Sequence, residues 1–181
     1  GIKAEFTRLD GEYDLNFLAK DEDGAGYIVK VMRADCEDWL VDMQVKAFEH
    51  ITARQPDLPC PRVIRTTQGA SLMRIADEAG RERLVWVLNQ LAGQCYAQVH
   101  PKSAALIREI GGVLAGSARA LADFQHAGLA RDFKWDLMRA GWIESDLNCI
   151  TDIKRRGIIT DIHTAFAVLL PTLENLPTQA F

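Results

Sequence analysis

The sequence predicts an α+β fold in which an antiparallel sheet comes first and helices follow. Up to Gly93, short apolar or alternating stretches typical of strands are separated by turn sequences, with one amphipathic helix among them. Beyond Gly93 no convincing strand pattern occurs, and apolar residues recur at helical spacing. We therefore expect the chain to divide into residues 1–93 and residues 94–181.

Three strands at the start are predicted from their residue pattern and from the turns between them. Residues 10–14 have turn composition, and Asp23-Gly24 is a frequent hairpin signal. Strands joined by such short turns pair antiparallel by default. The predicted strands cover residues 4–9, 16–20 and 26–33.

An amphipathic helix is predicted over residues 35–53, because Leu40, Met43 and Ala47 recur at three- and four-residue spacing. Asp35 is its predicted N-cap residue. Pro56, Pro59 and Pro61 then exclude a helix over residues 56–61. Further strands are expected over residues 62–66, 71–76 and 83–88, which gives a sheet of five or six strands with one inserted helix.

The second half of the chain is predicted to be helical. An apolar stripe over residues 103–125 marks one helix. Two more are expected over residues 145–156 and 158–170, interrupted near Gly157 and ended by Pro171.

Composition excludes several classes of partner. The 181 residues are 48% apolar and 25% charged with a net charge of -4, which is ordinary globular composition without a basic footprint for nucleic acid. No apolar run reaches membrane-spanning length. The four cysteines are scattered, and neither they nor the four histidines have metal-ligand spacing. We expect a cytoplasmic protein with free thiols and no partner among nucleic acids or membranes.

A lysine lies in the middle of the third predicted strand. Side chains alternate along a strand, so Lys30 shares a face with Ile28 and Met32. A lysine on an apolar face either extends to solvent or points at an anion. From this stretch alone, two interpretations are equally open: Lys30 binds an anion, or it is an edge-strand lysine that discourages aggregation.

Five segments, taken in order, carry a family resemblance: LDGEYDLNF (9–17), YIVKV (27–31), PCPRV (59–63), VWVLNQLAG (85–93) and FKWDL (133–137). Together they resemble the small-molecule kinases of the aminoglycoside phosphotransferase and choline kinase group. The resemblance is closest to the branch of hydroxylysine kinase-like enzymes and of phosphotransferase domains fused to class III aminotransferases. It extends along essentially the whole chain.

The resemblance implies a kinase-like N-terminal lobe over residues 1–93, followed by the first helices of an incomplete helical C-terminal lobe over residues 94–181. In this fold the first hairpin covers the ATP phosphates and the third-strand lysine contacts them. Lys30 would be that lysine, and Gly11 and Glu12 would lie in the covering loop. A simple hairpin turn remains the alternative for this loop. The connector between the lobes is expected to bind the adenine edge through the backbone of Asn89, Gln90 and Leu91. An ordinary linker between the lobes remains the alternative for these residues.

The helix after the lysine strand usually supplies a glutamate that pairs with the lysine. At the best-matching position this sequence has Gln44, which can hydrogen-bond an ammonium group but cannot neutralise it. Asp42, on the same helix, is the other candidate for orienting Lys30.

The resemblance also implies a catalytic loop H-x-D-x-x-x-x-N and a later magnesium-binding Asp. None of the four histidines is followed two residues later by Asp, so no catalytic or metal-binding residue is assigned. In similar proteins a stretch like residues 176–181 leads directly into that loop. We therefore expect a chain truncated before it, with the Mg²⁺ ligands beyond Phe181.

These observations predict a parent protein that transfers the γ-phosphoryl group of ATP to a hydroxyl of a small amine-bearing acceptor. The 181 residues alone are expected to be inactive. A non-catalytic kinase-like module for nucleotide binding or regulation is the alternative, and a third is a soluble α+β domain whose lysine only caps a strand. If most of the helical lobe is missing, the apolar faces of helices 103–125 and 158–170 are expected to promote self-association.

Overall fold

In the computed structural model, which describes residues 3–132 and 135–180, the chain has the predicted α+β architecture. Every predicted strand is present. The strands are β1 (Ala4–Leu9), β2 (Leu15–Asp21), β3 (Gly26–Val31), β4 (Val63–Ile64), β5 (Met73–Ala76) and β6 (Glu82–Asn89). The α-helices are α1 (Asp38–Arg54), α2 (Ala104–Ala120), α3 (Ile143–Asp146) and α4 (Ile153–Leu173). Short 3₁₀ helices cover Tyr96–Gln98, Ala127–Ala130, Leu137–Trp142 and Leu147–Cys149.

The six strands form one sheet in the order β1-β2-β3-β6-β4, and β5 pairs with the other end of β6. All of these pairings are antiparallel. The apolar run in β6 explains its central place, because a strand with neighbours on both edges and cover on its faces needs apolar side chains. Trp86 in this strand is 2% exposed.

The turn between β2 and β3 fixes the register that positions Lys30. Gly24 adopts a φ of 83°, which glycine reaches without strain. The Asp21 carboxylate accepts hydrogen bonds from the backbone N–H of Asp23 at 3.1 Å and of Ala25 at 2.8 Å. The resulting register places Asn16 directly opposite Lys30.

Two apolar clusters hold α1 in place. One joins the sheet to α1 and consists of Met32, Val41, Val45, Leu84, Trp86 and Leu88. The other joins α1 to the end of α2 and consists of Ile51, Ala120, Leu121 and Phe124. Each large side chain buried in this way stabilises the fold by about 1.5–3 kcal/mol.

Two helix ends differ from the sequence prediction. The predicted N-cap at Asp35 is wrong: α1 begins later, after Glu37, and Asp35 instead pairs with Arg33 at 3.1 Å. Residues 33–36 form a turn first, closed by the Cys36 N–H on the Arg33 carbonyl at 3.1 Å. At the start of α2, Ser103 caps the helix by accepting the Leu106 N–H at 3.1 Å, but the helix ends at Ala120.

The predicted break near Gly157 and end at Pro171 are also wrong. A single helix, α4, continues through both residues, and its N-cap Asp152 accepts backbone N–H groups of the first turn. Glycine in a helix costs only about 1 kcal/mol, which a long helix tolerates. Pro171 lies in the last turn, where one backbone hydrogen bond is lost and the helix ends at Leu173.

Two compact units lie along the chain. Residues 3–128 with 179–180 form the first, and described residues between 129 and 178 form the second. The division into lobes 1–93 and 94–181 remains a prediction. Within the described residues, no helix has both the length and the apolar character needed to cross a membrane.

Candidate functional site

Lys30 lies in the middle of β3, between Asn16 of β2 and Trp86 of β6 in the sheet register. Its Nζ donates a hydrogen bond to Asn16 Oδ1 at 2.9 Å. The same Nζ lies 6.0 Å from the centroid of the Trp86 ring, within the range of a cation–π contact. The half-buried ammonium is therefore held along the sheet face by an amide on one side and a ring on the other.

Trp86 gives this part of the sheet face a rigid apolar floor. Its indole N–H is directed at Met32 Sδ at 3.3 Å, and the Phe48 ring of α1 packs on it with a centroid distance of 6.2 Å. Because Met32 and Trp86 are almost fully buried, this floor excludes water. Electrostatic contacts of Lys30 are stronger here than in bulk solvent.

The loop between β1 and β2, residues 10–14, is tied to Lys30 through Asn16. The Asn16 amide nitrogen donates to the Asp14 carbonyl at 3.4 Å, while its oxygen accepts from the lysine. A Cβ atom on Gly11 would overlap this amide and would lie 2.5 Å from the Asp14 carbonyl oxygen. Glycine at position 11 therefore allows the loop to pack on Asn16. Glu12 is exposed in this loop.

An acidic side chain fastens the same loop to the end of β3. Asp14 Oδ1 accepts the backbone N–H of Arg33 at 2.9 Å. The Arg33 guanidinium also lies 6.0 Å from the Tyr13 ring. One carboxylate of the loop is thus engaged by backbone, which limits the repulsion that it would exert on an anion near Lys30.

The connector predicted to bind adenine begins at the end of β6. The Asn89 side-chain oxygen accepts the Arg62 backbone N–H, and the Asn89 backbone N–H donates to the Arg62 carbonyl at 3.0 Å. Gln90 packs over Gly26, where a Cβ atom would overlap it, and its N–H donates to the Gly26 carbonyl at 2.9 Å. These bonds hold the connector against β3. Leu91 is 43% exposed, and within residues 3–132 and 135–180 its backbone N–H has no hydrogen-bond partner.

The two predicted lysine-orienting residues of α1 make their hydrogen bonds elsewhere. The Gln44 amide donates to the Leu40 carbonyl at 3.2 Å. Asp42 Oδ2 accepts from Lys46 Nζ at 2.6 Å and from His126 Nε2 at 3.0 Å. Hydrogen bonds from Lys46 first, and then from His126, lower the pKa of Asp42. Among the described residues, the hydrogen bond of Lys30 goes to Asn16 instead.

The last segment of the resemblance, residues 133–137, is described only from Trp135 onward, so Phe133 and Lys134 lie outside the described residues. Asp136 caps a 3₁₀ turn by accepting the Met138 N–H at 3.0 Å. Trp135 is 69% exposed.

The described residues do not offer a ligand set for a metal ion. No group of three or more His, Cys, Asp or Glu side chains is suitably placed in residues 3–132 and 135–180. These residues therefore assign no metal ligand, and the expected Mg²⁺ site of the parent protein remains a prediction.

Sequence reasoning does not predict Asn16 or Trp86 as neighbours of Lys30. A signal for Asn16 exists: once Asp23-Gly24 is placed in the turn, the hairpin register pairs residue 16 with residue 30. The position of Trp86 depends on pairing β3 with β6, which are more than fifty residues apart. No local pattern specifies that pairing.

The family of the chain follows from a comparison of its whole length. Residues 5–180 match the sequence profile of the phosphotransferase enzyme family. The chain belongs to this family. The predicted resemblance to aminoglycoside phosphotransferase-like kinases is thereby confirmed, while the narrower branch remains a prediction. No curated protein sequence matches the chain significantly.

Solved structures of kinases have the same fold as the phosphotransferase chain. An amicoumacin kinase in complex with AMP-PNP, Ca²⁺ and Ami superposes with a TM-score of 0.67 at 14% identity, over 96% of this chain and 49% of the other. A microcompartment-associated aminopropanol kinase superposes with a TM-score of 0.56 at 16% identity, over 74% of this chain and 40% of the kinase. An aminoglycoside phosphotransferase from Alicyclobacillus acidocaldarius superposes with a TM-score of 0.53 at 17% identity, over 96% of this chain and 50% of the other.

At these identities the likeness establishes the fold of the phosphotransferase chain and not its substrate. The predicted kinase-like N-terminal lobe followed by helices is confirmed. The chain spans about half the length of the kinases that it matches over most of its own residues.

Proposed function

We propose that this chain supplies the ATP-binding part of a small-molecule kinase whose parent protein transfers the γ-phosphoryl group of ATP to a hydroxyl group. Membership of the phosphotransferase family supports this proposal. The observation that carries it is Lys30, a half-buried ammonium on an apolar sheet face beside the loop 10–14. Its hydrogen bond and its ring contact are with neutral groups, so its positive charge remains to be matched by an anion.

The proposed binding mode uses two points on the neighbouring strands β3 and β6. Lys30 would contact a phosphate oxygen under the loop 10–14, and the backbone of Leu91, an exposed residue, would meet the adenine edge. Tyr27 pairs with Asn89 and Lys30 pairs with Trp86, so Asn89, where the connector begins, and the lysine are three residues apart along β3. That is about 10 Å. It is the scale of separation between the base and the phosphates of a nucleotide.

The cofactors and the acceptor are proposed from the similar proteins. The amicoumacin kinase is described with AMP-PNP and Ca²⁺, which supports a nucleotide and a divalent cation, proposed as ATP and Mg²⁺, for the parent protein. Aminopropanol is a small molecule with an amine and a hydroxyl, and it names the substrate of another similar kinase. We therefore propose a small amine-bearing alcohol as the acceptor.

We expect no turnover by the 181 residues alone. Phosphoryl transfer needs a group that receives the hydroxyl proton and ligands that hold the metal. The sequence contains no H-x-D-x-x-x-x-N loop to provide them.

Calorimetric titration with ATP tests the proposal. Replacing Lys30 with Ala removes a charged hydrogen bond worth about 1.5–3 kcal/mol, so ATP binding should weaken by about tenfold or more. Lys20→Ala is the matched control, because Lys20 is an exposed lysine on the neighbouring strand and its loss should leave the affinity unchanged. Equal ATP binding by wild type and Lys30→Ala would remove Lys30 from the phosphate site and contradict the proposal.

A further inference from the structure

The amide of Asn16 occupies an unusual place between Lys30 and the loop 10–14. Its oxygen accepts the lysine at 2.9 Å, and its nitrogen donates to the Asp14 carbonyl at 3.4 Å. The lysine can only donate, so the network fixes which end of the amide faces it. One side chain therefore connects the ammonium to the backbone of the loop.

The helix α1 does not supply this contact. Gln44 donates to a carbonyl of its own helix, and Asp42 is engaged by Lys46 and His126. Where α1 approaches the sheet next to Lys30, it presents the Phe48 ring to Trp86. The apolar pair covers the floor of the site without adding a charge to it.

We propose that Asn16 is the positioning residue of Lys30, where it replaces a helix carboxylate and couples the lysine to the loop 10–14. This inference rests on the proposed binding of ATP. A carboxylate partner would neutralise much of the lysine charge, whereas an amide orients the ammonium and leaves that charge for the phosphates. Because the loop is bonded to the same amide, the loop and the cation meet the phosphates as one unit.

Two substitutions separate this role from simple charge pairing. Asn16→Ala removes both hydrogen bonds. Asn16→Asp has nearly the same shape and can still accept from Lys30, but it cannot donate to the Asp14 carbonyl and it adds a negative charge near the phosphates. Asn148→Asp, at an exposed asparagine of the second unit, makes the same change of charge at a residue that is not hydrogen-bonded to Lys30.

The first measurement follows the Lys30 ammonium directly, without nucleotide. In ¹⁵N–¹H spectra of lysine side chains, the hydrogen bond to Asn16 should slow proton exchange and make the Lys30 Nζ signal visible, and Lys30→Ala identifies that signal. The signal should disappear in Asn16→Ala and persist in Asn16→Asp. An unchanged Lys30 signal in Asn16→Ala would overturn the inference whatever the protein binds.

The second measurement compares ATP with adenosine by calorimetry. Asn16→Ala and Asn16→Asp should each weaken the binding of ATP by about tenfold and leave the binding of adenosine unchanged. Asn148→Asp should change the binding of neither ligand. Tighter ATP binding by Asn16→Asp would show that charge pairing dominates. Unchanged ATP binding by Asn16→Ala would make Asn16 purely structural. Either result would overturn this inference but not the proposed function. A wild-type chain that binds ATP no better than adenosine would instead overturn the proposed function.

Discussion

At the scale of single residues, the side chain of Asn16 suits its place because an amide carries both an acceptor and a donor. A carboxylate could accept from Lys30 but could not donate to the Asp14 carbonyl, and a serine hydroxyl is too short to bridge both groups. The adjacent Trp86 ring lowers the local dielectric constant, which strengthens both the lysine–amide bond and any later bond to a phosphate. The same low dielectric makes the loss of either partner costly.

Gly11 gives a test of this packing at one residue. In Gly11→Ala the new Cβ would overlap the Asn16 amide, so the loop or the amide must move and ATP binding should fall by about as much as in Asn16→Ala. Gly111→Ala is the matched control, because a Cβ there meets no atom within 4 Å apart from its chain neighbours and the backbone of its own helix, and alanine stabilises a helix by about 1 kcal/mol relative to glycine. ATP titration of both variants checks the prediction, and unimpaired binding by Gly11→Ala would refute it.

At the scale of elements, the hairpin of β5 and β6 is held by one acidic side chain in its turn. Asp77 Oδ1 accepts the backbone N–H of Ala79 at 3.0 Å and of Arg81 at 2.9 Å. Its Oδ2 accepts from Arg81 Nε at 3.0 Å and from Arg83 Nε at 2.9 Å. These bonds, with the backbone N–H of Arg81 as the largest cause, lower the pKa of Asp77 to about 2.

The low pKa of Asp77 predicts how stability depends on pH. A carboxyl group whose folded-state pKa is below its unfolded value, about 3.9, stabilises the fold above that value and loses its contribution as the pH falls toward 2. In urea unfolding, wild type should therefore be more stable than Asp77→Asn at pH 6, and the difference should shrink between about pH 4 and pH 2. A difference that stays constant over this range would show that the charge of Asp77 contributes nothing.

Local patterns predict most of the elements but little of the site. Alternation and turn residues are local, so β1, β2 and β3 are found within one or two residues of their predicted bounds. The continuous α4 is missed because Gly157 and Pro171 are read as breaks, although neither cost is large enough to end a helix at its position. The contacts of Lys30 depend on registers between strands, and the pairing with Trp86 joins distant parts of the chain.

At the scale of the whole molecule, α4 is apolar on more than one side. The side chains of Ile159, Phe166 and Leu170 are half-buried, whereas Ile158 and Ile162 lie on another side and are 53% and 65% exposed. A helix with apolar residues on two sides needs a second apolar surface to cover the exposed side. Leu169, 56% exposed, continues the stripe of Ile158 and Ile162 by helical spacing.

We therefore predict that the 181-residue chain self-associates through this stripe, because exposed apolar patches drive association. Ile162→Lys puts a charge at the centre of the stripe and removes about 1.5–3 kcal/mol of apolar burial, so the dissociation constant should rise by about tenfold or more. Thr160→Lys adds the same charge at an exposed position on the other side of α4 and should have little effect. Light scattering over a range of concentrations measures this, and a wild-type chain that stays monomeric at the highest concentration would contradict it.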